Sequence, residues 1–276
     1  MTQRVAVVTG GNKGIGFAIV KQLCIQFDGI VYLTARDITR GEDAIKKLGE
    51  QGLNPNFHQL DITDDDSIST FHDYLKEMYD GLDILVNNAG IAFKQSATEP
   101  ISVQAEETLR VNYFALRKVC NKLFPLLKPH ARVVHVSSSS GRLSYIPNES
   151  LRKKFSNPSL TEEELDNILH EFVNAVKEDK HLEEGWPHSA YVVSKIGVSA
   201  LAGIHQRMFN SDTREDLVVN SVHPGYVNTD MTSRKGVLTP DQGAEAPIYS
   251  ALLPENTDIK GKYIWYDKAL VIWAKS

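Results

Sequence analysis

Long apolar runs, cysteine pairs and a strong excess of either charge are all missing from this sequence. No apolar run approaches the ~20 residues that a membrane-spanning helix needs. The apolar run near the N-terminus is too short for a signal peptide. The net charge of −5 gives no reason to expect a nucleic acid or an anionic membrane as a partner. We therefore expect neither of these partners.

Cysteine is scarce, and its positions carry no metal-binding pattern. Cys24 and Cys120 are the two cysteines, and both lie in segments with a helix-like pattern. Without metal-ligand spacing they predict no metal site, and we interpret them as small buried apolar side chains. A reduced, cytoplasmic protein is the simplest interpretation of this usage.

Short β-branched runs alternate with longer amphipathic stretches along the chain. The strands are continuous apolar runs, which is typical of strands buried on both faces by helices. A β-α-β order predicts a parallel sheet with right-handed crossovers. We therefore predict an α/β fold, with residues 1–276 forming a single doubly wound Rossmann-type domain around a seven-stranded parallel sheet. The predicted strands are 4–10, 29–35, 56–62, 82–90, 131–138, 216–225 and 261–267, and the predicted helices are 14–27, 39–51, 65–79, 102–127, 189–209 and 240–252.

The segment 141–188 interrupts this alternation. Thr161 and Glu164 have the spacing of a capping box, which predicts the start of a helix. Apolar residues then recur at intervals of three and four, which gives the helix one apolar stripe. The stripe consists of Leu165, Ile168, Leu169, Phe172, Val173 and Val176. We interpret the segment as a helical insertion, most simply one that covers its own domain.

The stretch "TGGNKGIG" (9–16) follows the first predicted strand and opens the first helix. Glycines at such a turn let the backbone bend sharply and approach a pyrophosphate, which the helix N-terminus favours electrostatically. The context of strand and helix predicts a dinucleotide site. The residues assigned to it are Gly10, Asn12, Lys13, Gly14, Ile15 and Gly16.

The second predicted strand ends in "LTARD", where the cofactor ribose is expected. Arg36 suits a ribose 2′-phosphate, and Lys13 and Arg40 add positive charge, so the sequence favours NADP over NAD. Asp37 argues mildly for NAD, because its carboxylate could face a free 2′-hydroxyl. Lys13 and Arg40 also fit solvated surface charges.

Further cofactor contacts are expected where the third and fourth strands end. Asp61 and Ile62 follow the third strand and could border the adenine. Asn88, Ala89 and Gly90 follow the fourth strand, where they either line the cofactor cleft or only form a turn.

Tyr191 and Lys195 stand four residues apart, on one face of the predicted helix 189–209. A free tyrosine has a pKa of about 10, and a neighbouring ammonium group lowers it. Such a tyrosine can protonate a carbonyl oxygen while a serine hydroxyl holds that oxygen. Four adjacent serines, Ser137 to Ser140, lie upstream. Alone, the tyrosine–lysine spacing is a weak signal.

Several motifs together resemble the short-chain dehydrogenase/reductases. "TGGNKGIG", "NNAG", "RVNYF", "VSS", "YVVSK" and "HPGYVNTDM" occur in the order and approximate spacing of that family. The resemblance implies the catalytic residues Asn112, Ser138, Tyr191 and Lys195. Tyr191 would be the acid and Ser138 would orient the carbonyl, with Ser139 as the alternative. Lys195 would lower the tyrosine pKa and hold the nicotinamide ribose, and Asn112 would support a water-linked proton path.

The resemblance also assigns the segment 223–229 to the nicotinamide. Its residues on that side would be Pro224, Gly225, Val227 and Thr229. More narrowly, the chain resembles the monomeric carbonyl reductases of the family, which carry a helical insertion between the serine and the tyrosine. An insertion packed beside the tyrosine helix would cover a surface through which many relatives form oligomers, and this predicts a monomer. His135 stands where relatives often have Asn, and we expect it to have a packing role.

The resemblance implies an NADPH-dependent reductase of aldehydes, ketones or quinones. The alternatives are an NADP-dependent alcohol dehydrogenase specific for a steroid or a prostaglandin-like substrate, and a non-enzymatic NADP-binding sensor. An apolar substrate rim, or else core, would come from Phe93, Tyr226, Met231 and Trp186. A polar substrate part such as a glutathione conjugate would contact Lys94, Gln95 and Gln104, which also fit solvated surface.

Overall fold

The computed structural model describes residues 3–94 and 96–276, and its strands form one sheet. The strand order is β3-β2-β1-β4-β5-β6-β7-β8, with β1 to β7 parallel and β8 antiparallel to β7. The strands are Val5–Thr9 (β1), Ile30–Ala35 (β2), Asn56–Gln59 (β3), Leu82–Asn87 (β4), Leu127–Val136 (β5), Val218–Val222 (β6), Tyr263–Ile264 (β7) and Leu270–Val271 (β8). The predicted α/β fold is confirmed, but its seventh strand is short and pairs with an additional antiparallel edge strand.

Helices cover both faces of this sheet, as its apolar strands require. All five residues of β1 are buried, so neither face of the central strand meets water. The helices are Gly14–Gln26 (α1), Ile38–Gly49 (α2), Asp65–Met78 (α3), Ile101–Leu109 (α4), Leu116–Leu123 (α5), Glu149–Phe155 (α6), Glu162–Lys177 (α7), Ala190–Asn210 (α8) and Pro240–Ala251 (α9). Two buried apolar clusters result, one with α1 and α9 and one with α3 to α8. Within the described ranges, no helix is both long and apolar enough to span a bilayer.

The predicted long helix 102–127 is broken in the structure. A π-helical segment, Arg110–Ala115, separates α4 from α5, and the chain then leaves the helix through a short 3₁₀ turn that contains Pro125. Such a wide turn shifts the side chains on one face, and π-helical turns are frequent at functional sites. Asn112 lies in the middle of this segment.

The insertion folds as two helices, α6 and α7. The expected capping box is present, because Thr161 and Glu164 exchange hydrogen bonds at the start of α7. The apolar stripe of α7 is buried against α4 and α8. A Cβ atom at Gly197 of α8 would lie 2.9 Å from the Leu169 side chain, so the two helices approach closely. Trp186 is buried between Phe155 and Phe172, which places it in the core and not at a substrate rim.

Candidate active site

The glycine turn between β1 and α1 needs its glycines for both conformation and space. Gly10 and Gly14 have φ angles of +64° and +56°, where side chains are strained. A Cβ atom at Gly16 would lie 2.3 Å from the carbonyl oxygen of Gly10. At Gly14, a Cβ atom would lie 3.3 Å from Cγ2 of Thr229. The turn therefore presents bare backbone at the start of a helix and meets the segment 223–229.

Side chains from β1 and from the end of β4 hold this turn in place. Thr9 Oγ1 accepts hydrogen bonds from the N–H groups of Asn88 at 3.0 Å and Ala89 at 3.1 Å. Asn88 Nδ2 donates to the carbonyl oxygens of Thr9 at 2.9 Å and Gly10 at 3.1 Å. The Asn88 side chain thus supports the glycine turn. Thr9 opens the stretch "TGGNKGIG" but was not among the predicted site residues, since its role depends on neighbours in space.

At the end of β2, the structure bears on whether Arg36 or Asp37 faces the cofactor ribose. Asp37 is the N-cap of α2, where its carboxylate accepts from the Arg40 N–H at 2.9 Å and lies 3.7 Å from Arg40 Nε. Its carboxylate is therefore already engaged at the helix start. Arg36 is exposed, and its only recorded hydrogen bond within the described ranges is through its carbonyl oxygen. This arrangement favours the 2′-phosphate over the free hydroxyl.

Asp61 follows β3 and carries a stabilised negative charge. Burial works to raise the pKa of Asp61, but hydrogen bonds from Thr63 and the charges of Arg36 and Arg110 outweigh it, so the pKa lies below its usual value. Its neighbour Ile62 is buried in the core. Asp61 and Arg36 are therefore close at the edge where the adenosine half of a cofactor is expected.

The π-helical turn points Asn112 at the end of β4. Asn112 Oδ1 accepts from the Ile91 N–H at 2.7 Å, and Nδ2 donates to the Ile91 carbonyl at 2.9 Å and to Ser194 Oγ at 3.1 Å. A Cβ atom at Gly90 would lie 3.1 Å from Asn112 Oδ1 and 3.8 Å from Lys195 Nζ. Gly90 therefore keeps open the space between the asparagine and the lysine.

Contacts separate the roles of the four serines. Ser137 is buried, and its hydroxyl bonds Ser199 Oγ at 2.7 Å and the Lys195 carbonyl at 3.1 Å. Ser138 is half-buried, and its hydroxyl interacts with Tyr191. The Ser139 N–H donates to His223 Nδ1 at 2.9 Å. Among these serines, Ser138 is the one whose hydroxyl interacts with the tyrosine.

Tyr191 and Lys195 meet at the start of α8. Burial raises the pKa of Tyr191, and the interaction with Ser138 offsets this only in part. Lys195 is 5% exposed, and burial lowers its pKa to about 8. Lys195 Nζ donates to the Val136 carbonyl at 2.8 Å and lies 5.8 Å from the Tyr191 ring centroid. In the protein alone, the tyrosine pKa therefore moves opposite to the expected direction, because burial outweighs the hydrogen bond from Ser138.

The segment 223–229 turns back over these residues. Gly225 adopts a φ of +87°, and Pro224 before it is buried. Val227 is buried with its side chain against Gly243 of α9, so its side chain serves packing. Tyr226 and Met231 are 50% and 43% exposed, which leaves them available to a substrate.

The other residues expected to contact a substrate form no common site through the contacts of the described ranges. Phe93 is half-buried and Lys94 is exposed. Gln104 on α4 donates its amide to the Glu99 carbonyl at 2.9 Å, which ties it to its own helix start. Gln95 lies outside the described residues. No contact in the described ranges brings these side chains together into a polar subsite.

A second polar cluster, here called the histidine chain, runs from β4 to the insertion. Asn87 Nδ2 lies 3.2 Å from His135 Nδ1, His135 Nε2 lies 3.0 Å from His205 Nδ1, and His205 Nε2 lies 2.9 Å from Glu162 Oε1. Both histidines are fully buried. One ring nitrogen of each histidine and Cys120 Sγ lie within 4.8 Å of one another, a spacing that a metal ion could bridge. Every ring nitrogen, however, already has a hydrogen-bond partner. His135 is thus a buried residue of the core that connects Asn87 to His205 through hydrogen bonds.

Comparisons with known proteins identify a family model, relatives in sequence and a similar solved structure. The family model described as short chain dehydrogenase matches residues 4–150. Carbonyl reductase (NADPH) 1 of Homo sapiens is 50% identical over 256 residues, or 92% of this chain and 92% of that protein. Carbonyl reductase (NADPH) 3 of Mus musculus is 47% identical over 273 residues, or 98% of each. Among solved structures, salutaridine reductase from Papaver somniferum has a TM-score of 0.85 and 35% identity, covering 96% of this chain and 100% of that chain.

Proposed function

The chain belongs to the short-chain dehydrogenase family, and we propose from this premise that it is an NADPH-dependent carbonyl reductase with Tyr191 as the proton donor. The relatives that match most of its length are named as NADPH carbonyl reductases. The observation that carries the proposal is the convergence of Ser138, Tyr191 and Lys195 where β5 ends and α8 begins.

The residues of the site fit the dinucleotide and divide the chemistry among themselves. The bare glycine turn suits a pyrophosphate, and bound NADPH supplies the hydride for the carbonyl carbon. The Ser138 hydroxyl oxygen accepts from the Ser140 N–H at 3.1 Å, and its proton, which is directed at Tyr191 in the protein alone, can turn to a substrate oxygen. A raised pKa keeps Tyr191 protonated at neutral pH, which is the form that a reductase needs as its acid.

Replacing the tyrosine hydroxyl tests this assignment. Tyr191→Phe should lower kcat for a ketone about 10²- to 10⁴-fold, the usual contribution of a positioned acid. The fluorescence titration of NADPH should stay near that of the wild type, because the phenyl ring keeps the packing. The assay is NADPH oxidation over a panel of aldehydes, ketones, quinones and glutathione conjugates, with the alcohols run in the reverse direction. A wild type that oxidises NADPH with none of them would contradict the proposal.

The preference for NADPH is assigned to Arg36. Arg36→Ala should raise the KM for NADPH about 10-fold, the value of one charge-assisted hydrogen bond, and leave the KM for NADH nearly unchanged. Arg40→Ala is the matched control, because Arg40 is exposed and already faces Asp37. Equal changes for both cofactors would show that Arg36 does not select the phosphate.

We propose further that the enzyme is a monomer in which the whole chain acts as one domain. The support is α7, which covers α4 and α8 with its apolar stripe. Light scattering at micromolar concentration should give a mass near 30.8 kDa. A dimer mass would contradict the proposal.

A cytoplasmic location is proposed on the chemistry of the cysteines. Cys24 and Cys120 are both free, as they would be in a reducing compartment. Fractionation of cells should recover NADPH-dependent ketone reduction in the cytosol, and recovery in another fraction would contradict the location.

A further inference from the structure

Arg142 stands at the start of the insertion, next to the catalytic residues. Its guanidinium carbon lies 4.7 Å from the ring centroid of Tyr145 and 5.9 Å from that of Trp265. Tyr263, whose hydroxyl donates to the Ser138 carbonyl, is close enough to Arg142 and Tyr191 for both to influence its pKa. Arg142 therefore lies at the edge where β5, β6 and β7 end, which is the ligand-binding edge of a parallel sheet.

Two buried donor atoms at this place lack a hydrogen-bond partner within the described ranges, Arg142 Nε and Trp265 Nε1. Both groups can only donate. An unpaired buried donor is costly, so an acceptor is the group that would complete this place. Elsewhere in the described chain, buried or half-buried arginines such as Arg132, Arg117 and Arg214 pair with carboxylates. Arg142 has no such ion pair among the described residues.

The surrounding charges leave the guanidinium uncompensated. Burial, and then the charge of Arg142, lowers the pKa of His223 to about 4, so this neighbour is neutral at physiological pH. Asp267 also acts on His223, but its Oδ1 accepts from the Ala269 N–H at 3.1 Å within its own turn. Tyr145 and Tyr266 nearby are 41% and 43% exposed, which gives the place apolar walls.

We propose that Arg142 and Trp265 form an anion-binding subsite of the active site, which takes the carboxylate of carbonyl substrates that carry one. The inference rests on the proposed reductase function and adds the substrate class. Arg142 Nη2 already donates one hydrogen bond to the Tyr145 hydroxyl, which orients the guanidinium. Its unpaired Nε–H and the second Nη2 proton form one edge of the planar fork that can bind a carboxylate, and the indole N–H of Trp265 adds a further donor. The exposed tyrosines suit the carbon skeleton that joins the carboxylate to the carbonyl.

A matched pair of substrates tests the subsite. Wild-type kcat/KM should be about 10-fold higher for 3-benzoylpropanoate than for its methyl ester, since only the acid can use the charged donors. Arg142→Met should lower kcat/KM for the acid about 10- to 100-fold and leave that for the ester nearly unchanged. Arg142→Lys should recover part of the preference. Arg4→Met is the control, because Arg4 faces Asp83 beside the start of β1, far from the C-terminal strand ends.

The outcomes separate the subsite from the reductase function. Equal losses for acid and ester would show that Arg142 only supports the fold, and an ester preferred by the wild type would also overturn the subsite. If the wild type reduced neutral ketones but did not prefer the acid, the subsite would be refuted and the reductase function would still be supported. Should Arg142→Met fail to fold, inhibition of neutral-ketone reduction decides the question in the wild type. 4-Phenylbutanoate should then inhibit at least 10-fold more strongly than 4-phenylbutanol, and equal inhibition would refute the proposal.

Discussion

The proposed catalytic cluster of Ser138, Tyr191 and Lys195 and the histidine chain both include a residue at or just beyond β5, yet their hydrogen bonding differs. Asn87 and His135 open the histidine chain on β4 and β5, and Ser138 lies just beyond β5. In the histidine chain, hydrogen bonds run in one direction and every ring nitrogen is paired. In the proposed catalytic cluster, the Ser138 and Tyr191 hydroxyls interact with each other and are the groups that a substrate oxygen would meet. The comparison therefore sets a polar cluster that links elements against one that we propose to be reactive.

The direction of the histidine chain follows from the amide at its start. Asn87 Nδ2 is a donor, so His135 Nδ1 accepts and its Nε2–H donates to His205 Nδ1. His205 Nε2–H then donates to the Glu162 carboxylate at the start of α7. Both rings are neutral, because burial lowers the pKa of each. The chain therefore ties the insertion to the sheet next to the active site without leaving a reactive group.

Within this comparison, the largest expected effect distinguishes two adjacent serines. Ser138→Ala should lower kcat about 10²- to 10³-fold, as removal of an oxyanion donor does, with little change in stability. Ser137→Ala should leave kcat near the wild-type value and cost about 1–3 kcal/mol in the free energy of unfolding, because its buried partners lose their hydrogen bonds. Steady-state kinetics and urea unfolding on both variants are the measurements. If the two serines exchanged these effects, the assignment of Ser138 would be wrong.

Breaking the histidine chain should affect stability and not chemistry. His205→Leu should cost about 2–4 kcal/mol in the free energy of unfolding, since it leaves a buried N–H and a carboxylate without their partner. kcat should change little. Glu162→Gln is the control, because its amide oxygen still accepts from His205 and the loss should be smaller. Equal losses in urea unfolding would mean that the charge of Glu162, and not the chain, provides the stability.

The smallest expected effect is a change in the slope of stability against pH. The pKa values of His135 and His205 lie below the unfolded value of about 6.5, so the unfolded state binds protons first as the pH falls. The stability that the neutral rings contribute is therefore complete above that pH and is lost below it. Stability should therefore fall as the pH drops below about 6.5, and each histidine can contribute at most about 1.4 kcal/mol per pH unit to this slope.

His205→Leu removes one of these two groups and should reduce that slope, by at most about 1.4 kcal/mol per pH unit. Urea unfolding at several pH values measures it. An unchanged slope would show that His205 is protonated in the folded protein, which would contradict a neutral chain.

Some features of the site could be predicted from the sequence, and others could not. The glycine turn and the capping box of α7 follow from local rules of conformation and hydrogen bonding, and the structure has both. The motif placed the active serine at Ser138, but only contacts with Ser199 and His223 explain why Ser137 and Ser139 differ from it. The roles of Thr9 and Arg142 could not be predicted, because they depend on residues far away in sequence.

By itself, the sequence determined the order of strands and helices, the phosphate-binding turn and the family, because these depend on periodicity, glycine conformation and short motifs. The tertiary structure alone decided which neighbours each polar group has. It engaged Asp37 at a helix start, paired the histidines, placed Trp186 in the core and left Arg142 Nε without a hydrogen-bond partner among the described residues. The physical reason is that desolvation and hydrogen bonding act between groups close in space, and most of these groups come from distant parts of the chain.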